Sequence, residues 1–353
     1  MHMGDALISP AVGGAMWATT IGLTAYAAKR LRAENSEKTP LMATLGAFVF
    51  SAQMINFSIP WTGSSGHLGG GLLLAILLGP YAAFLTIFAV LAIQALFFAD
   101  GGLLAMGCNV FNLGFWPAFA VYPFISRYLT RAGPPGAGRL TAVCIPAAVI
   151  GLQLGALGVV LQTLASGRTD LPFTTFALYM QPIHLAIGIV EGIITAAVVA
   201  AVAKARPELL AASSAQQMAR SGQRPIAIAL IAAALMIGGV LAWFASQHDD
   251  GLEWSIAKTI GQSELEPPRS AIHASLATLQ EKISLLPDYD FKKPQQADAA
   301  EGEKKEGGEG KDAEKWPAVN AGTSVAGIVG SVLVLLLAGF IGLALRRQPS
   351  GKF

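Results

Sequence analysis

The feature that most constrains this chain is a succession of long apolar stretches that runs through most of its length. Of its 353 residues, 53% are hydrophobic and only 13% are charged, and the mean hydropathy is +0.54. These values are too apolar for an ordinary globular domain. A helix needs ~20 largely apolar residues to cross a bilayer. We therefore predict an all-α, polytopic transmembrane helix bundle, with spans at 9–28, 41–58, 81–98, 109–126, 141–165, 183–203, 225–244 and 322–345.

A further apolar stretch, residues 68–79, is too short to be an ordinary span. It is rich in glycine and is followed by Pro80. Irregular or short segments are tolerated at membrane depth only where they are packed inside protein or line a cavity. We predict a half-depth or tilted segment, and we count it among about seven crossings within residues 1–204.

Lysine and arginine residues in short loops predict which side of the membrane each loop faces. If the short segment counts as a crossing, four basic clusters fall on one side, which is then cytoplasmic. The connections at 59–67, 99–107 and 166–182 lie opposite and contain one basic residue. We therefore expect an extracytoplasmic amino terminus and a cytoplasmic carboxyl terminus. The clusters are Lys29, Arg30, Arg32 and Lys38; Arg127, Arg131 and Arg139; Lys204, Arg206, Arg220 and Arg224; and Arg346, Arg347 and Lys352.

The chain divides into three predicted parts. Residues 1–204 form the bundle, 205–224 a cytoplasmic linker, and 225–353 a second unit with two helices, 225–244 and 322–345, around an extracytoplasmic segment at 245–321. That segment begins with two stretches of near-helical apolar spacing, DDGLEWSIAKTI and SAIHASLATLQEKISLLPDYDF, and continues as charged low-complexity sequence. We interpret the latter as a flexible tether, and expect His248 and His273 to lie in a polar, mobile region.

The opening residues, MHMGDALISP, do not resemble a removable secretory signal. Such a signal has a basic region before its apolar core, whereas no lysine or arginine precedes Lys29 and Asp5 is acidic. We therefore expect a mature terminus. A free Met1 amine, the backbone nitrogen of His2 and the His2 imidazole can then chelate one cation. Three coplanar nitrogens suit Ni(II) or Cu(II) better than zinc or magnesium, although a terminal histidine is often merely frayed.

His67 is the candidate for a fourth nitrogen. It stands in GSSGHLGGGLLLAILLGP, residues 63–80, where neighbouring glycines permit irregular backbone and close approaches. Its predicted position is the extracytoplasmic mouth of the bundle, on the same side as His2. The alternative is a hydrogen-bonded core or interface histidine.

Four further polar residues could support such a site. Asp100 and Asn109 are predicted near the same end of the bundle, where they could hydrogen-bond the ligand imidazoles and fix their orientation; for Asp100, a solvated loop is an equal alternative. His184 and Glu191 are seven residues apart and share a helix face. Ionisable residues inside a membrane are functional candidates by default, but Glu191 could equally pair with another helix.

Other chemistry is not supported by the sequence. Cys108 and Cys144 lie at or inside apolar spans without a CxxC spacing, and we interpret them as buried small hydrophobes. The chain lacks the GxxxxGK[ST], HExxH and GxSxG motifs. It therefore cannot hydrolyse ATP by itself, and no catalytic residue or cofactor is predicted.

Three segments carry a family resemblance: the initial MH, GSSGHLGGGLLLAILLGP, and IQALFFADGGLLAMGCNVFN. Through residues 1 to about 204 the chain resembles the CbiM/NikM family, the nickel- or cobalt-capturing membrane components of energy-coupling-factor (ECF) transporters. The tail, with DGLEW at 250–254 and PDYDF at 287–291, resembles the two-helix PDGLE-type accessory component, here fused. Asp249 stands where that motif has proline.

The resemblance implies that Met1, His2 and His67 bind the metal, with Ni2+ or Co2+ as the transported ligand. It also implies three kinds of partner: a membrane coupling component, a pair of cytoplasmic ABC-type ATPases, and the lipid of a bacterial or archaeal cytoplasmic membrane. Nickel is favoured over cobalt, because planar nitrogen coordination with a deprotonated amide suits Ni(II). We expect the fused tail to matter more for transport than for capture.

Two other classes of function remain open at this stage. An autonomous metal channel or permease would need no ATPase, so uptake into ATP-free vesicles would identify it. An intramembrane metalloenzyme would keep an open coordination position for water, whereas four protein nitrogens in a plane leave none in that plane.

Overall fold

The structure, a computed structural model, describes residues 2–34, 40–130, 136–206, 224–263, 265, 268, 270–292 and 316–346. Met1, most of the predicted linker and the charged tether lie outside these residues, as do Lys38, Arg131, Arg220, Arg347 and Lys352. The helices are α1 (Pro10–Glu34), α2 (Leu41–Gln53), α3 (Gly71–Leu78), α4 (Pro80–Phe97), α5 (Met106–Val110), α6 (Tyr122–Thr130), α7 (Ala137–Ala165), α8 (Phe173–Ala205), α9 (Arg224–Gly239), α10 (Gly251–Ile260), α11 (Ala271–Ile283) and α12 (Ala321–Leu345).

The predicted spans are mainly helical, and the chain is a multi-pass, membrane-embedded protein. In the described part of the chain, α4, α7, α8 and α12 are long and apolar enough to cross a bilayer, and α2 and α9 are shorter apolar helices. The predicted span at 109–126 falls within helical chain from 106 to 130. Its middle, Phe111–Val121, is π-helical and contains Pro117. Proline lacks the backbone N–H donor and therefore interrupts the hydrogen bonds of the helix. A local change from α-helix to the wider π-helix is common where those hydrogen bonds are interrupted.

Helix α3 is the short segment that we predicted to lie inside protein. All eight of its residues are buried, and it packs against α4, α8 and the π-helical stretch. Gly70 and Gly79 have φ of 77° and 88°, which a residue with a side chain rarely adopts. These two glycines let the chain turn sharply into and out of a helix too short to span the bilayer.

A small β-hairpin interrupts the all-helical pattern, and we did not predict it. Helix α2 ends at Gln53, and β1 (Phe57–Ile59) then pairs antiparallel with β2 (Ser64–Gly66). The predicted span at 41–58 is therefore wrong at its end. The polar residues Asn56 and Ser58, with Pro60 after them, favour turn and edge structure over continued helix. The hairpin leads directly into His67.

The second unit packs on the bundle along most of its described length. Helices α9 and α12 pack on α2, and α12 also packs on α4. The hydroxyl groups of Ser51 and Ser331 are 2.6 Å apart across this contact. Helix α10 lies against α8 and β2, and α11 lies against α4. The described part of the segment between the two apolar helices is thus folded onto the end of the bundle that carries the hairpin.

Our expectation that His273 lies in a mobile polar region is wrong. His273 is 3% exposed, and its Nε2 lies 3.1 Å from the carbonyl oxygen of Asp5 and 2.9 Å from that of Ile8. Ser270 contacts its other ring nitrogen at 2.6 Å. The error arose because this helix mixes apolar and polar residues and most of it is exposed, while the face with His273 covers the amino-terminal segment. His248, in contrast, is exposed as expected.

Candidate metal centre

Met3 fixes the position of the amino-terminal segment. Its side chain is fully buried, its N–H donates to Oδ1 of Asn109 at 2.8 Å, and its carbonyl accepts from Nδ2 of Asn109 at 3.1 Å. The N–H of Gly102 donates to the same carbonyl at 2.9 Å. Asn109 therefore acts on the backbone next to His2, and not on an imidazole as we had considered.

The imidazole of His2 is held by a carboxylate. Its Nδ1 is 2.7 Å from Oδ1 of Asp100, and the hydroxyl of Tyr289 donates to Oδ2 of Asp100 at 2.5 Å. Burial disfavours the Asp100 carboxylate, but the charge and hydrogen bond of His2 and the hydrogen bond from Tyr289 outweigh it and hold the pKa of Asp100 at about 2. Asp100 is therefore an anion fixed between two partners.

The Nε2 atom of His2 is buried without a hydrogen-bond partner in the described part of the chain. Buried polar atoms are normally paired, so this nitrogen is available to a ligand. A chelate that includes the His2 backbone nitrogen needs Nδ1, however, because only that ring nitrogen closes a small ring. Metal binding by the predicted chelate of the Met1 amine and the His2 nitrogens thus requires the metal to replace Asp100 at Nδ1, or the ring to turn about its Cβ–Cγ bond.

His67 lies beside His2, although 64 residues separate them in the sequence. The two ring centroids are 5.0 Å apart and the ring planes are inclined by 38°. Burial, with a smaller effect from the charge of His2, lowers the pKa of His67 to about 3. The imidazole of His67 is therefore neutral near pH 7, which is the form that binds a metal.

The irregular chain that follows His67 is anchored by Glu191 of α8. Its carboxylate accepts from the N–H of Gly69 at 3.0 Å and from that of Gly70 at 3.1 Å. On the other side, Nε2 of Gln53 donates to the Gly69 carbonyl at 2.9 Å, and Gln94 donates to Gln53. Glu191 is thus bound to a loop, and not to a second helix as we had considered.

The fused tail contributes a second carboxylate. Oδ2 of Asp250 is 4.0 Å from Nε2 of His67, and Oδ1 of Asp250 accepts from the N–H groups of Leu252 and Glu253 at the start of α10. Burial alone would raise the pKa of Asp250, but His67 and the N–H of Glu253 are among the groups that bring it below its ordinary value. Asp250 is therefore a carboxylate beside the two histidines.

His184 lies close to this group without joining it. Its Nδ1 is 2.8 Å from the carbonyl of Met180 in its own helix, and its Nε2 is buried without a hydrogen-bond partner in the described part of the chain. A small cavity of about 10 Å³ is lined by His67, His184 and Asp250. His184 therefore borders the site from the side of α8.

A cavity of about 750 Å³ adjoins the two histidines and is lined by both units of the chain. Its lining includes His2, His67, Asp100, Asp250, Glu253 and Tyr289. Among the described residues, which begin at His2, no group of three or more His, Cys, Asp or Glu side chains is arranged to hold a metal. Side chains alone do not complete a site there, so a metal would need backbone or terminal nitrogens as well.

Sequence reasoning missed three residues of this region: Gln53, Asp250 and Tyr289. The last two belong to DGLEW and PDYDF, which we had identified only as signatures of the tail. Their unusual density of acidic and aromatic residues was a usable signal. Nothing in the sequence indicated that they fold back on His67 and Asp100.

The Glu191 anchor gives a test of how the His67 loop is held. Glu191→Ala leaves the N–H groups of Gly69 and Gly70 without an acceptor, at about 1–3 kcal/mol for each. We expect a lower melting temperature of the purified full chain in detergent, and faster amide exchange at both glycines.

Glu191→Gln is the matched control, because it keeps one carbonyl oxygen as an acceptor and should lose less stability. Wild-type melting and exchange in Glu191→Ala would show that the loop does not depend on this carboxylate.

Comparison with known proteins places the chain in a family. Residues 2–209 match the family described as the cobalt uptake substrate-specific transmembrane region, and residues 224–347 match the PDGLE domain. The Archaeoglobus fulgidus protein designated fused nickel transport protein NikMN is 33% identical over 355 residues, covering 98% of each chain. The fused nickel transport protein NikMN of Rhodobacter capsulatus is 34% identical over 60% of this chain and 64% of its own length.

The fold is also similar to that of a solved structure. A crystal structure described as a transition metal transporter has a TM-score of 0.50 and 31% sequence identity, covering 59% of this chain and 95% of the other. The resemblance to CbiM/NikM and to a fused PDGLE-type unit is thereby confirmed. The chain belongs to the CbiM family of metal-uptake membrane proteins and carries a PDGLE domain in the same polypeptide, with the metal as its transported substrate.

Proposed function

We propose that the chain is the metal-capturing component of an ATP-driven ECF-type importer, and that it binds Ni2+ through the Met1 amine, the backbone and imidazole nitrogens of His2, and His67. The observation that carries the proposal is the pairing of two largely enclosed imidazoles, 8% and 10% exposed, with centroids 5.0 Å apart. Imidazoles on adjacent corners of a square, each nitrogen ~2.0 Å from the metal, would have centroids about 4.5 Å apart. Once the metal has replaced Asp100 at Nδ1 of His2, or the His2 ring has turned, both imidazoles could therefore reach one ion.

Charge supports a cation at this position. The carboxylates of Asp100 and Asp250, 24% and 17% exposed, flank the two histidines, and partly buried carboxylates at one site are stabilised by nearby positive charge. A divalent ion whose amide ligand has lost its proton carries one net positive charge. The arrangement suits such an ion better than a neutral solute.

Nickel is our proposed substrate in preference to cobalt. The relatives above are designated nickel transport proteins, while the family as a whole is described by cobalt uptake. The proposed donor set decides between them, because four nitrogens in a plane suit tetragonal Ni(II). Co2+ in the same role is the second candidate.

The remaining assignments follow from the sequence and the family. We propose residues 1–204 as the capturing bundle of about seven crossings, 205–224 as a cytoplasmic linker, and 225–353 as the accessory unit. The metal site then faces outward and the basic helix ends face the cytoplasm. Since the sequence has no phosphate-binding loop, ATP hydrolysis is assigned to separate ATPases, joined through a membrane coupling component. Metal uptake by the isolated chain in ATP-free vesicles would favour a channel instead.

Removing one donor at a time tests the site. An uncleaved amino-terminal tag converts the Met1 amine to an amide, and His67→Ala removes an imidazole. We expect each to weaken Ni2+ binding by more than ~100-fold, beyond the ~10–100-fold typical of groups that only support ligands. Calorimetry of the purified chain in detergent measures the loss.

The controls are a carboxyl-terminal tag and His248→Ala, which removes an exposed imidazole elsewhere on the tail. Both should bind Ni2+ as the wild type does. Near-normal binding by the amino-terminally tagged protein or by His67→Ala would exclude the corresponding donor.

Asp100→Asn tests whether the carboxylate orients the His2 imidazole for the metal. If the His2 ring turns so that Asp100 keeps the ring nitrogen that does not bind the metal, the carboxylate fixes the orientation of the ligand imidazole and raises its basicity. Asp100→Asn should then lose ~10–100-fold in Ni2+ affinity. Asp170→Asn, which removes an exposed carboxylate between α7 and α8, is the control. A gain in affinity would instead mean that Asp100 competes with the metal for Nδ1 of His2.

The pH dependence tests which nitrogens must lose protons. With a pKa of about 3, His67 is already neutral above about pH 4 and adds no proton step near neutrality. The Met1 amine, with an ordinary pKa of ~7.7–8.0, and the His2 amide must both lose a proton to the metal. Affinity should therefore fall as pH falls from 8 to 6.

Calorimetry in several buffers should give more than one proton released per Ni2+, and the bound ion should be diamagnetic, as expected for planar low-spin nickel. Affinity that is flat across this range, or a paramagnetic bound ion, would indicate that oxygen ligands dominate.

A further inference from the structure

The fused tail places two side chains within the candidate site. Oδ2 of Asp250 lies 4.0 Å from His67 Nε2, and the hydroxyl of Tyr289 donates to Asp100, which in turn holds His2. Each proposed imidazole ligand thus has one contact that leads to the tail. The two tail residues come from different motifs, DGLEW and PDYDF, at opposite ends of the α10 to α11 region.

The two carboxylate oxygens of Asp250 have different contacts. Oδ1 accepts from Leu252 and Glu253 at 2.7 and 2.9 Å and caps α10, and Glu253 returns a hydrogen bond to the Asp250 N–H. Oδ2 is the oxygen that faces His67. One oxygen therefore caps the helix, and the other lies on the side of His67.

Helix α10 is held firmly enough for this position to be maintained. The N–H of Ser65 donates to the Asp249 carbonyl at 2.8 Å, and the Ser65 hydroxyl donates to the His248 carbonyl at 2.8 Å. Trp254 Nε1 donates to the Thr62 carbonyl at 3.0 Å. Backbone and side chains of the hairpin that leads into His67 thus bind both sides of Asp250.

Tyr289 is fixed in the same way on the bundle. Its ring stacks on Phe98, with centroids 5.0 Å apart and planes inclined by 14°, and Phe98 is fully buried. The N–H of Asp288 donates to the Phe98 carbonyl at 2.9 Å. The hydroxyl group therefore reaches Asp100 from a rigid support.

We propose that the PDGLE-type tail is part of the capture site: Asp250 supplies the counter-charge for the bound divalent cation beside His67, and Tyr289 positions Asp100 against His2. This inference rests on the proposed function. Ni2+ bound to one deprotonated amide keeps one positive charge, and the Asp250 carboxylate next to His67 lies close enough to offset it, while the Asp100 carboxylate stays paired with His2 and Tyr289. The tail then affects capture itself, contrary to our expectation from sequence.

Two substitutions at Asp250 distinguish the effect of its negative charge from its role as the N-cap of α10. Asparagine is as good a helix cap as aspartate but is neutral, whereas glutamate keeps the charge and caps poorly. If the charge matters, Asp250→Asn should weaken Ni2+ binding ~10–100-fold, and Asp250→Glu should bind more tightly than Asp250→Asn. Calorimetry of the full chain in detergent measures both, and thermal melting checks folding.

Asp249→Asn is the matched control, since Asp249 is exposed and contributes its backbone carbonyl to the hairpin contact. It should bind Ni2+ normally. Wild-type affinity in Asp250→Asn, or weaker binding by Asp250→Glu than by Asp250→Asn, would overturn the role of the Asp250 charge.

Tyr289→Phe keeps the stacked ring and removes only the hydroxyl. We expect a loss of about 10-fold in Ni2+ affinity, and no further loss when Tyr289→Phe is added to Asp100→Asn, because the hydroxyl acts through that carboxylate. Unchanged affinity, or a loss that adds fully in the double variant, would overturn the positioning role. A purely structural tyrosine would give the additive result.

His67→Ala in the same series separates the two proposals. If His67→Ala loses Ni2+ binding while Asp250→Asn and Tyr289→Phe keep it, the nitrogen site stands and the contribution of the tail is wrong. If His67→Ala binds Ni2+ normally, the proposed site itself is wrong.

Discussion

The hydrogen bonds from Gly69 and Gly70 to the Glu191 carboxylate are the interaction on which the rest of the site depends. Backbone groups within a bilayer find no water, so irregular chain at that depth must be satisfied by protein. Glu191 provides two acceptors from α8, and Gln53 provides a donor from α2. This allows the chain to leave β2, present His67 and enter the buried helix α3 with the N–H groups of Gly69 and Gly70 and the Gly69 carbonyl paired. A helix in the same place would hold its own hydrogen bonds but would point a different set of side chains inward.

The amino-terminal segment is fixed by the same kind of hydrogen bond, between polar side chains and backbone groups. Asn109 pairs with both backbone groups of Met3, and Asp5 accepts from the N–H of Ala105 at 2.9 Å. Both histidines are thus carried by irregular chain, and both pieces of irregular chain are fixed by polar side chains that lie on or beside membrane helices. Irregular chain of this kind would make backbone nitrogens available as donors in the proposed site, which a regular helix cannot do.

The tail covers the candidate site. Its contacts are concentrated at three places next to the histidines: the hairpin before His67, the Asp100 carboxylate, and the amino-terminal segment. His273 contacts that segment at the carbonyl oxygens of Asp5 and Ile8. In addition, Gln280 donates to the carbonyls of Ala95 and Gly101 at 2.9 Å each. The separate hydrophobic contact of α9 and α12 with α2 attaches the unit to the bundle. Attachment and contact with the site are therefore made by different parts of the tail.

Much of this protein is determined by its sequence alone. The length and apolarity of the spans identify a helical membrane protein, because an apolar helix satisfies its own backbone hydrogen bonds inside a bilayer. The glycines at 70 and 79 and Pro80 determine where α3 begins and ends, since only certain residues adopt the backbone angles that those turns need. His2, His67 and Asp100 are identifiable as candidates because polar and glycine-rich stretches are conspicuous against apolar sequence.

Only the tertiary structure decided which of these residues meet. Asn109 and Glu191 bind backbone groups that are distant in sequence, and no local pattern specifies such a pairing. The hairpin at 57–66 forms because the tail and bundle supply partners for it. Asp250 and Tyr289 have ordinary local explanations, a helix cap and an aromatic contact, and their second role arises only when α10 and the Pro287–Tyr289 turn dock beside His67 and Asp100. Contacts between distant segments depend on packing of the whole chain, and the sequence pattern of either segment does not contain them.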